Sequence, residues 1–452
     1  MGLEANRRRL TEGPLWPGLM GLAGPMFVSA SLQNTQSLID LFWVGRLGSE
    51  AVAALALSGT ILMMLFPLVM GLSTGTVAIV SRCVGSGRMD EAADTGGQSL
   101  MVALLFGLAA GAAGRFWAAD LCRLLGGQGA LVRLGADYLG VSFLGCFTVF
   151  VLFIANSILQ ACGNSVVPMI AMVFSNLLNI VLAPVLIFGL LGAPRMEVYG
   201  AALATVISQA AAACIVLVVL ARGSAGITVR MRHWRLGGPA AWRVIRLGVP
   251  SSGQMLSRSL MSGVLMRVVA GFGTATVAAY GIGMRFHMVV LMPGFALGNA
   301  AATIVGQNLG AGRPDRSERV AWLAVLVDAA IMLASAAVLV LFAPQLMRFF
   351  NDHDEVVALG ARYLRIVSFF HVFAALSIVL GRALQGAGDT VSPMVTTILG
   401  LWGLQVPLAL ILPHFFAVAT DGIWWSIAIT LTANGLMVAA WFQTGRWKAK
   451  RV

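Results

Sequence analysis

The sequence predicts an all-α integral membrane protein with twelve transmembrane helices, arranged as two parallel six-helix lobes. Composition, hydropathy and an internal repeat together predict this fold class. Of the 452 residues, 59% are hydrophobic and only 11% are charged, whereas soluble domains average about 25% charged residues. So small a polar fraction cannot cover a water-soluble globule of this size. Soluble enzymes and soluble binding domains are therefore excluded.

Apolar windows long enough to cross a bilayer, roughly 20 residues each, recur along the whole chain. Their number is twelve, and because twelve is even, both termini are expected on the same side of the membrane. The predicted spans are 16–44, 52–81, 96–118, 134–160, 167–191, 199–221, 244–272, 276–304, 319–343, 359–384, 391–413 and 421–444.

The distribution of basic residues predicts which side that is. Nineteen of the thirty Lys and Arg fall in the N-terminal segment, the even-numbered loops and the C-terminal tail, against eight on the opposite side. By the positive-inside rule, both termini are cytoplasmic and the chain is a multi-pass protein of the cell (inner) membrane. We expect no cleavable signal, because the polar start with Arg7, Arg8 and Arg9 runs straight into the first span. No nucleic-acid partner is expected, since no basic run is interleaved with stacking aromatics.

The two halves of the chain match each other at one constant offset of 225 residues. Chance does not hold one offset over five separate matches. We therefore predict an N-terminal lobe over 1–221, a basic cytoplasmic linker over 222–246 and a C-terminal lobe over 247–452. Parallel repeats of this kind enclose a cleft that opens to alternate sides, which is transporter architecture. The matches are "RLGSEAVAAL" (46–55) with "GFGTATVAAY" (271–280), "AIVSRCVGSGRMDEA" (78–92) with "TIVGQNLGAGRPDRS" (303–317), "GADYL" (135–139) with "GARYL" (360–364), "QACGNSVVPM" (160–169) with "QGAGDTVSPM" (385–394), and Pro25 with Pro250.

The first predicted helix carries a polar stripe that ends in an acid. At 100° per residue, Gln33, Gln36 and Asp40 fall on one face, opposite a face of Ala, Leu, Ile and Val. The alternative is an acid at the outer interface close to Arg46, but an isolated interfacial acid needs no row of polar residues beside it. We therefore predict that the stripe faces protein or a water-filled cavity, where an intramembrane carboxylate is a functional-site candidate.

Three further ionisable groups lie inside predicted spans, namely Arg258, Arg285 and Asp328. Each costs roughly 2.5–3.5 kcal/mol at mid-bilayer, so each is expected to face protein or water. One interpretation is a structural ion pair between neighbouring helices of the second half. The other is a second polar site that includes Arg258 and Asp328. We expect His371 to be a packing histidine.

No motif for enzymatic catalysis or metal binding occurs in the sequence. It has neither the phosphate-binding pattern G-x-x-x-x-G-K-[ST] nor H-E-x-x-H. "GLSTG" (71–75) matches a hydrolase motif but lies inside an apolar helix, where small residues serve helix packing. The five cysteines are scattered and lack C-x-x-C spacing. We therefore expect no enzyme activity, no cofactor and no metal site.

With these residues in view, the chain resembles the multidrug and toxin extrusion (MATE) family, and most of all its DNA-damage-inducible branch. The resemblance covers essentially the whole length. It implies a V-shaped pair of lobes, monomeric and surrounded by membrane lipid, that exports small drugs or toxins. The motifs that carry it are Pro25…Gln33…Asp40 followed by "VGRLG…AVAAL", the two "G-x-G-R-x-D" loops, the two "Q-x-x-G-[ND]-x-x-x-P-M" segments, and "NIVLAP" followed by "YGAALAT".

The resemblance also implies which residues couple transport to an ion and which bind substrate. In that branch a helix 1 carboxylate works with an Asn on helix 5, an acid one turn later and a Thr on helix 6. The matching positions are Asp40, Asn179, Ala183 and Thr205. For the substrate cavity, the resemblance and the polar stripe together indicate Gln33, Gln36, Asn156, Met172 and Asn176.

Ala183 stands where the family pattern has its second acid. A sodium ion prefers several oxygen ligands and charge compensation, whereas burial disfavours the charged form of a lone carboxylate, which can then load and release a proton. We therefore predict export of cationic or amphipathic molecules in exchange for protons, with sodium coupling as the alternative. Because the 225-residue offset maps Asp40 to Leu265, the coupling site is predicted in the first half alone. A lipid-linked glycan flippase is a further alternative, which would need a lateral opening lined with basic residues.

Overall fold

The structure is a computed structural model that describes residues 3–223, 226–235 and 238–450. Within these ranges all regular secondary structure is helical. Ten of the helices are long and apolar enough to cross a membrane, and the number is eleven when the bent pair Ala130–Leu144 and Cys146–Ala161 is taken as one span. The apolar windows of the sequence thus correspond to long helices, as predicted.

The chain divides into two compact units. The first holds Met1–Pro14 and Gly21–Val249, and the second holds Leu15–Met20 and Pro250–Val452. The division therefore falls a few residues after the end of the predicted basic linker. The linker itself is not a loop throughout, because its last residues, from Pro239 onward, already form the first turns of a long helix.

Six long helices, here named α1 to α6, occupy the positions of the first six predicted spans. A short helix, Leu3–Thr11, precedes them. The second of the six is interrupted between Met63 and Phe66, where the sequence predicts an unbroken span. The bounds are Leu15–Gly45 for α1, Ser49–Gly85 for α2, Met89–Leu124 for α3, Ala130–Leu144 with Cys146–Ala161 for α4, Val166–Phe188 for α5 and Glu197–Ala221 for α6.

A proline, Pro25, lies inside α1 and weakens its hydrogen-bond ladder. Proline has no N–H, so the carbonyl four residues earlier, that of Gly21, loses its helical donor. The hydroxyl of Ser165 takes over this role and donates to the Gly21 oxygen at 3.4 Å, which is long for such a bond. The Ser29 hydroxyl in turn donates to the Pro25 oxygen at 2.8 Å. The part of α1 that carries Asp40 thus follows a loosely bonded turn.

The two parts of α4 meet at an angle of 45° at Gly145. A Cβ at this position would collide with the side chain of Val206 in α6. The glycine therefore lets the bend of α4 lie directly against α6. The sequence predicts one continuous span here, because a bend of this kind depends on a contact that is distant in the sequence.

Six more long helices, α7 to α12, follow in the second half of the chain. Among the described residues, α7 is the one long helix of the twelve that is not apolar enough, or is too highly charged, to qualify as a membrane span by composition alone. It carries four arginines. Prolines lie inside α7 at Pro250 and inside α8 at Pro293. The bounds are Pro239–Ala270 for α7, Thr274–Gly310 for α8, Pro314–Leu341 for α9, Asp354–Gly386 for α10, Val391–His414 for α11 and Ala419–Gln443 for α12.

Two helices of the second unit depart from regular α-geometry. In α10 a 3₁₀ turn spans Ser368–Phe370 and a π-helical segment spans Leu376–Leu380, and in α11 a π-helical segment spans Leu399–Gln405. Such insertions occur frequently at functional sites. None of the three segments is visible in the hydropathy of the sequence, which continues evenly across them.

Three aromatic rings form the centre of the second unit's core. Tyr280, Tyr363 and Trp424 are buried, and their ring centroids lie 5.0 to 6.1 Å apart. Gly283 makes room for the ring of Tyr363, because a Cβ there would overlap it. Tyr363 belongs to the repeated segment "GARYL", so the repeat marks a residue of the core.

The segment after α12 packs back onto the second unit. Trp447 is fully buried and stacks on Phe442, with ring centroids 4.6 Å apart. Lys448 Nζ donates to Glu318 Oε2 of α9 at 2.6 Å, and this hydrogen bond raises the pKa of Lys448 above its ordinary value. One apolar and one charged contact therefore attach the C-terminal segment.

A second lysine of this segment reaches the loop between α10 and α11. Lys450 Nζ donates to Asp389 Oδ1 at 2.7 Å, while Ser392 Oγ and Trp441 Nε1 donate to Asp389 Oδ2 at 2.7 and 3.0 Å. Burial is the largest single influence and raises the pKa of Asp389. The hydrogen bonds from Lys450, Ser392 and Trp441 together outweigh it and hold the pKa below its ordinary value. Asp389 is therefore stabilised as a carboxylate.

We expect Asp389→Asn to lower the free energy of unfolding by about 1.5–3 kcal/mol at pH 7, since a hydrogen bond to a charged group contributes about that much. Because the pKa is lowered in the folded chain, this contribution is fully present above the unfolded pKa of about 3.9 and is lost as the pH falls through the folded pKa. Thermal unfolding of both proteins, at pH 7 and at successively lower pH, measures the difference.

The matched control for this prediction is Asp315→Asn. The Asp315 side chain is 87% exposed and lies 3.6 Å from Lys448. A surface ion pair of this kind contributes little, so its loss should change stability by less than about 0.5 kcal/mol. Equal effects of the two variants, or a difference that grows as the pH falls, would contradict the role given to Asp389.

Candidate functional site

Asp40, the acid of the polar stripe, lies near the end of α1 and is only 7% exposed. Helices α5 and α6 pack along each other and bring Asn179 and Thr205 to the same place. The three residues are distant in the sequence, so only the fold can place them together. The structure thus joins the three polar residues that the family resemblance implies for ion coupling.

A chain of hydrogen bonds connects these side chains. Asn179 Nδ2 donates to Thr205 Oγ1 at 3.2 Å, and Thr205 Oγ1 donates to Asp40 Oδ2 at 3.2 Å. The amide uses one lone pair of the hydroxyl and leaves the hydroxyl proton to bond elsewhere. The carboxyl group of α1 is therefore bound by a donor from α6 that is itself oriented from α5.

The hydroxyl of Thr205 has one proton and two acceptors within reach. These are Asp40 Oδ2 at 3.2 Å and the backbone oxygen of Ala201 at 3.1 Å. A charged carboxylate is the stronger acceptor, so the proton points to Asp40 when that residue is ionised. When Asp40 is protonated, the proton can turn to Ala201. The orientation of this hydroxyl therefore follows the protonation state of Asp40.

Several polar atoms around the chain of hydrogen bonds are buried without a hydrogen-bond partner in the described part of the structure. They are Asp40 Oδ1, Asn179 Oδ1, Gln36 Nε2 one turn before Asp40, and Asn176 Oδ1 one turn before Asn179. Each such atom costs about 1–3 kcal/mol unless something supplies a partner. So many in one region fit a cavity in which water, an ion or a substrate makes the missing hydrogen bonds.

The other predicted cavity residues are distributed over three helices of the first unit. The backbone oxygen of Met172 accepts a hydrogen bond from Asn176 Nδ2 at 3.0 Å. Gln33 of α1 is half-buried, and Asn156 Oδ1 of α4 is buried without a partner. Among the described residues, neither Gln33 nor Asn156 is hydrogen-bonded to Asp40. The structure thus joins Met172 to Asn176 and leaves the other two as separate positions.

Ala183 lies one turn after Asn179 and is fully buried. It packs in a core cluster with Val44, Tyr138 and Ala201. Its methyl group supplies no oxygen ligand, so this turn of α5 is apolar where the family pattern has an acid. Over the ranges that the structure covers, no group of three or more His, Cys, Asp or Glu is placed to hold a metal ion.

Tyr138 of α4 is a neighbour of Asp40 that the sequence does not predict. It is buried, and its phenol interacts electrostatically with Asp40. The repeat contains a signal for it, because "GADYL" and "GARYL" align Tyr138 with Tyr363. In each half this tyrosine enters the core, and in the first half it also flanks the acid.

The predicted ion pair in the second half is wrong. Asp328 of α9 is fully buried. Among the residues described, neither of its carboxyl oxygens has a hydrogen-bond partner, so neither Arg258 nor Arg285 is bonded to it. Arg258 is half-buried on α7 and Arg285 is exposed on α8. His371 is buried with its Nε2 2.8 Å from His287 Nδ1, as expected of a packing histidine with a partner. Arg258 and Asp328 therefore do not form one site by direct contact.

Both halves of the chain match the same family model, MatE, over residues 25–185 and 250–411. The chain belongs to the MatE family. These two matches lie one in each half of the repeat, and the first includes Asp40 and Asn179. A MatE protein is a membrane transporter and not an enzyme, so the predicted absence of catalysis follows from the family. The predicted all-helical membrane fold and the resemblance to the MATE family are confirmed, whereas the assignment to the DNA-damage-inducible branch stays a prediction.

Relatives of the chain carry multidrug-resistance names. It is 26% identical to the probable multidrug resistance protein YoeA of Bacillus subtilis, over 98% of this chain and 97% of that protein. It is 30% identical to the probable multidrug resistance protein NorM of Rhodopseudomonas palustris, over 92% and 89%. Among solved structures, a MOP superfamily transporter from Pyrococcus furiosus aligns with a TM-score of 0.89 at 26% identity, over 98% of both chains.

Proposed function

We propose that this MatE protein is a secondary active multidrug efflux antiporter, which exports cationic or amphipathic small molecules in exchange for protons by alternating access. The observation that carries the proposal is the hydrogen-bonded chain from Asn179 through Thr205 to the buried Asp40. The names of YoeA and NorM support multidrug efflux. We further propose that the chain belongs to the DNA-damage-inducible branch. We also propose that it is a monomer of the cell inner membrane with both termini cytoplasmic.

Proton coupling is favoured by the charge of the site. Among the described residues Asp40 is the one buried carboxylate of the first unit, and Ala183 occupies the position of the second acid in the family pattern. A single carboxylate that is buried and bound by a neutral donor can change its charge by taking one proton. The Thr205 hydroxyl supports this exchange, because it can bond to either Asp40 or Ala201.

Sodium coupling is the second candidate, and one observation favours it. Asp40 Oδ1, Asn179 Oδ1 and Asn176 Oδ1 are buried oxygens without partners among the described residues. Hard cations bind oxygen ligands of this type. One feature opposes it, namely the absence of a second acid at Ala183. The two candidates make opposite predictions for transport without sodium.

For the substrate we propose a cavity lined by the polar and flexible residues near this site. Amide groups offer both donors and acceptors, and a methionine adapts to ligands of different shape. Such a lining fits compounds that differ in detail but share an apolar body. The proposed lining residues are Gln33, Gln36, Asn156, Met172 and Asn176.

The transport cycle follows from one change of charge. Ionised Asp40 favours a cation in the cavity, and the Thr205 hydroxyl points to it. Protonation from outside removes that charge, weakens the binding of the cation and frees the hydroxyl to turn to Ala201. For a neutral amphipathic molecule, one proton crossing 100 mV supplies about 2.3 kcal/mol, which sustains roughly a 40-fold substrate gradient at 1.4 kcal/mol per tenfold. Exchange of a monovalent cation for one proton moves no net charge, so the pH difference alone drives it.

The test is efflux of ethidium from proteoliposomes that contain the purified protein. We expect an imposed pH gradient to drive efflux in the absence of sodium, and a protonophore to abolish it. An imposed sodium gradient without a pH gradient should have no effect. Efflux that requires sodium and persists with the protonophore would establish the second candidate instead.

A further inference from the structure

Asp328 is a buried acid that the proposed cycle does not use. It lies in the middle of α9 and is 0% exposed. Neither carboxyl oxygen has a hydrogen-bond partner in the part of the chain that the structure describes. A charge buried in this way costs several kcal/mol, because nothing replaces its hydration. In this conformation the group is therefore a neutral acid that holds its proton.

The carboxyl group of Asp328 lies against α8 next to Pro293, where this continuous helix lacks one backbone donor. Pro293 has no N–H for the carbonyl of Val289, four residues earlier. The next residue is Gly294, where an added Cβ would lie 2.6 Å from Asp328 Oδ2 and 3.0 Å from the methyl carbon of Met332. Only glycine leaves space for the acid at this point.

The helices around Asp328 contain other ionisable side chains, but none of them bonds to it. α9 packs against α8, against α10 with its 3₁₀ and π-helical segments, and against the short helix Ala343–Arg348. His287 and His371 are hydrogen-bonded to each other. The ionisable residues on these neighbours are Tyr280, Arg285, His287, Arg348, Asp354, Glu355, Arg362, Tyr363, Arg365, His371 and Arg382.

We infer that Asp328 is a second proton-carrying residue, so that each transport cycle moves two protons, one on Asp40 and one on Asp328. This inference rests on the proton coupling proposed above. When the turn of α8 at Pro293 and the π-helical segment of α10 admit water, the O–H bond of Asp328 breaks, the proton passes to water and a carboxylate remains. Reprotonation from the other side restores the neutral acid. The irregular helices beside Asp328 are the elements that can make this change, because their hydrogen-bond ladders are already interrupted.

The stoichiometry of transport tests the inference. In proteoliposomes with the membrane potential clamped at zero, a pH difference of one unit balances about a tenfold ethidium gradient for each proton exchanged. We expect the balance point at about 100-fold for the wild type and about tenfold for Asp328→Asn. The control Asp354→Asn alters an acid whose side chain is 92% exposed and should keep the value of about 100-fold. A wild-type balance point near tenfold would overturn the inference and leave proton coupling intact, whereas indifference to the pH gradient would overturn proton coupling itself.

A chemical measurement tests whether Asp328 carries a proton without a transport assay. Hydrophobic carbodiimides add to protonated carboxyl groups in apolar surroundings, and mass spectrometry locates the adduct. In wild-type protein in membranes we expect an adduct on Asp328 that is separate from any adduct on Asp40, with slower labelling as the pH rises. A proton-carrying group must become accessible during the cycle, so an Asp328 that stays unlabelled from pH 5 to pH 9 would overturn the inference.

Discussion

Asp40→Asn is expected to reduce efflux driven by a pH gradient to the rate of protein-free liposomes. Asparagine has nearly the same shape as aspartate and can still accept a hydrogen bond from Thr205 Oγ1, so the packing of α1 should be preserved. It cannot take up or release a proton at any physiological pH. The measurement is ethidium efflux at fixed protein density, with membrane insertion and thermal unfolding recorded for each preparation.

The matched control for this variant is Asp120→Asn. Asp120 also lies in the first unit, but its side chain is 64% exposed and pairs with Arg123 at the surface. Its loss should leave the efflux rate unchanged. If Asp40→Asn liposomes still expelled ethidium in response to a pH gradient, Asp40 would not be the coupling residue. Loss of efflux in both variants would indicate a general loss of folded protein.

Thr205→Val is expected to slow efflux by a factor of about ten or more. Valine has the shape of threonine but donates no hydrogen bond to ionised Asp40. A hydrogen bond to a charged group is worth about 1.5–3 kcal/mol, and 1.36 kcal/mol is a factor of ten in an equilibrium. The ionised state that begins each cycle is then populated less. The initial rate of ethidium efflux as a function of pH measures this change.

Two controls separate the hydroxyl of Thr205 from general packing. Thr205→Ser keeps the hydroxyl and should retain most of the efflux rate. Thr60→Val removes a hydroxyl that only bonds to the backbone oxygen of Ala56 on an exposed face, at 3.0 Å, and should have no effect. Equal rates for Thr205→Val and the wild type would show that the carboxylate does not depend on this donor.

Much of the fold is readable from the sequence because one physical requirement dominates it. A segment that crosses a bilayer must be long, apolar and helical, since no other conformation satisfies its backbone there. Every predicted span accordingly corresponds to a long helix, with ends shifted by a few residues. The bend at Gly145 and the π-helical segments of α10 and α11 could not be predicted, because they depend on packing against distant helices rather than on hydropathy.

The site was predictable to a different degree in the two halves. In the first half, the spacing on α1 marks Asp40, and the family resemblance supplies Asn179 and Thr205, which hydropathy alone would not select. In the second half, an ion pair was expected because buried charges need partners. Among the described residues Asp328 instead has no hydrogen-bond partner, which fits a carboxyl group that keeps its proton. Sequence reasoning assigns residue types to helices but cannot assign their protonation.

The bond between the Ser165 hydroxyl and the Gly21 oxygen has a mechanical consequence. At 3.4 Å it is weak, and its exchange for a bond to water would cost no more than about 1 kcal/mol. A single proton entering across 100 mV carries more than twice that amount. The part of α1 that follows Pro25 can therefore tilt about this turn at little cost. The hydrogen bond from Ser165, in the loop between α4 and α5, therefore helps to determine how readily this part of α1 tilts.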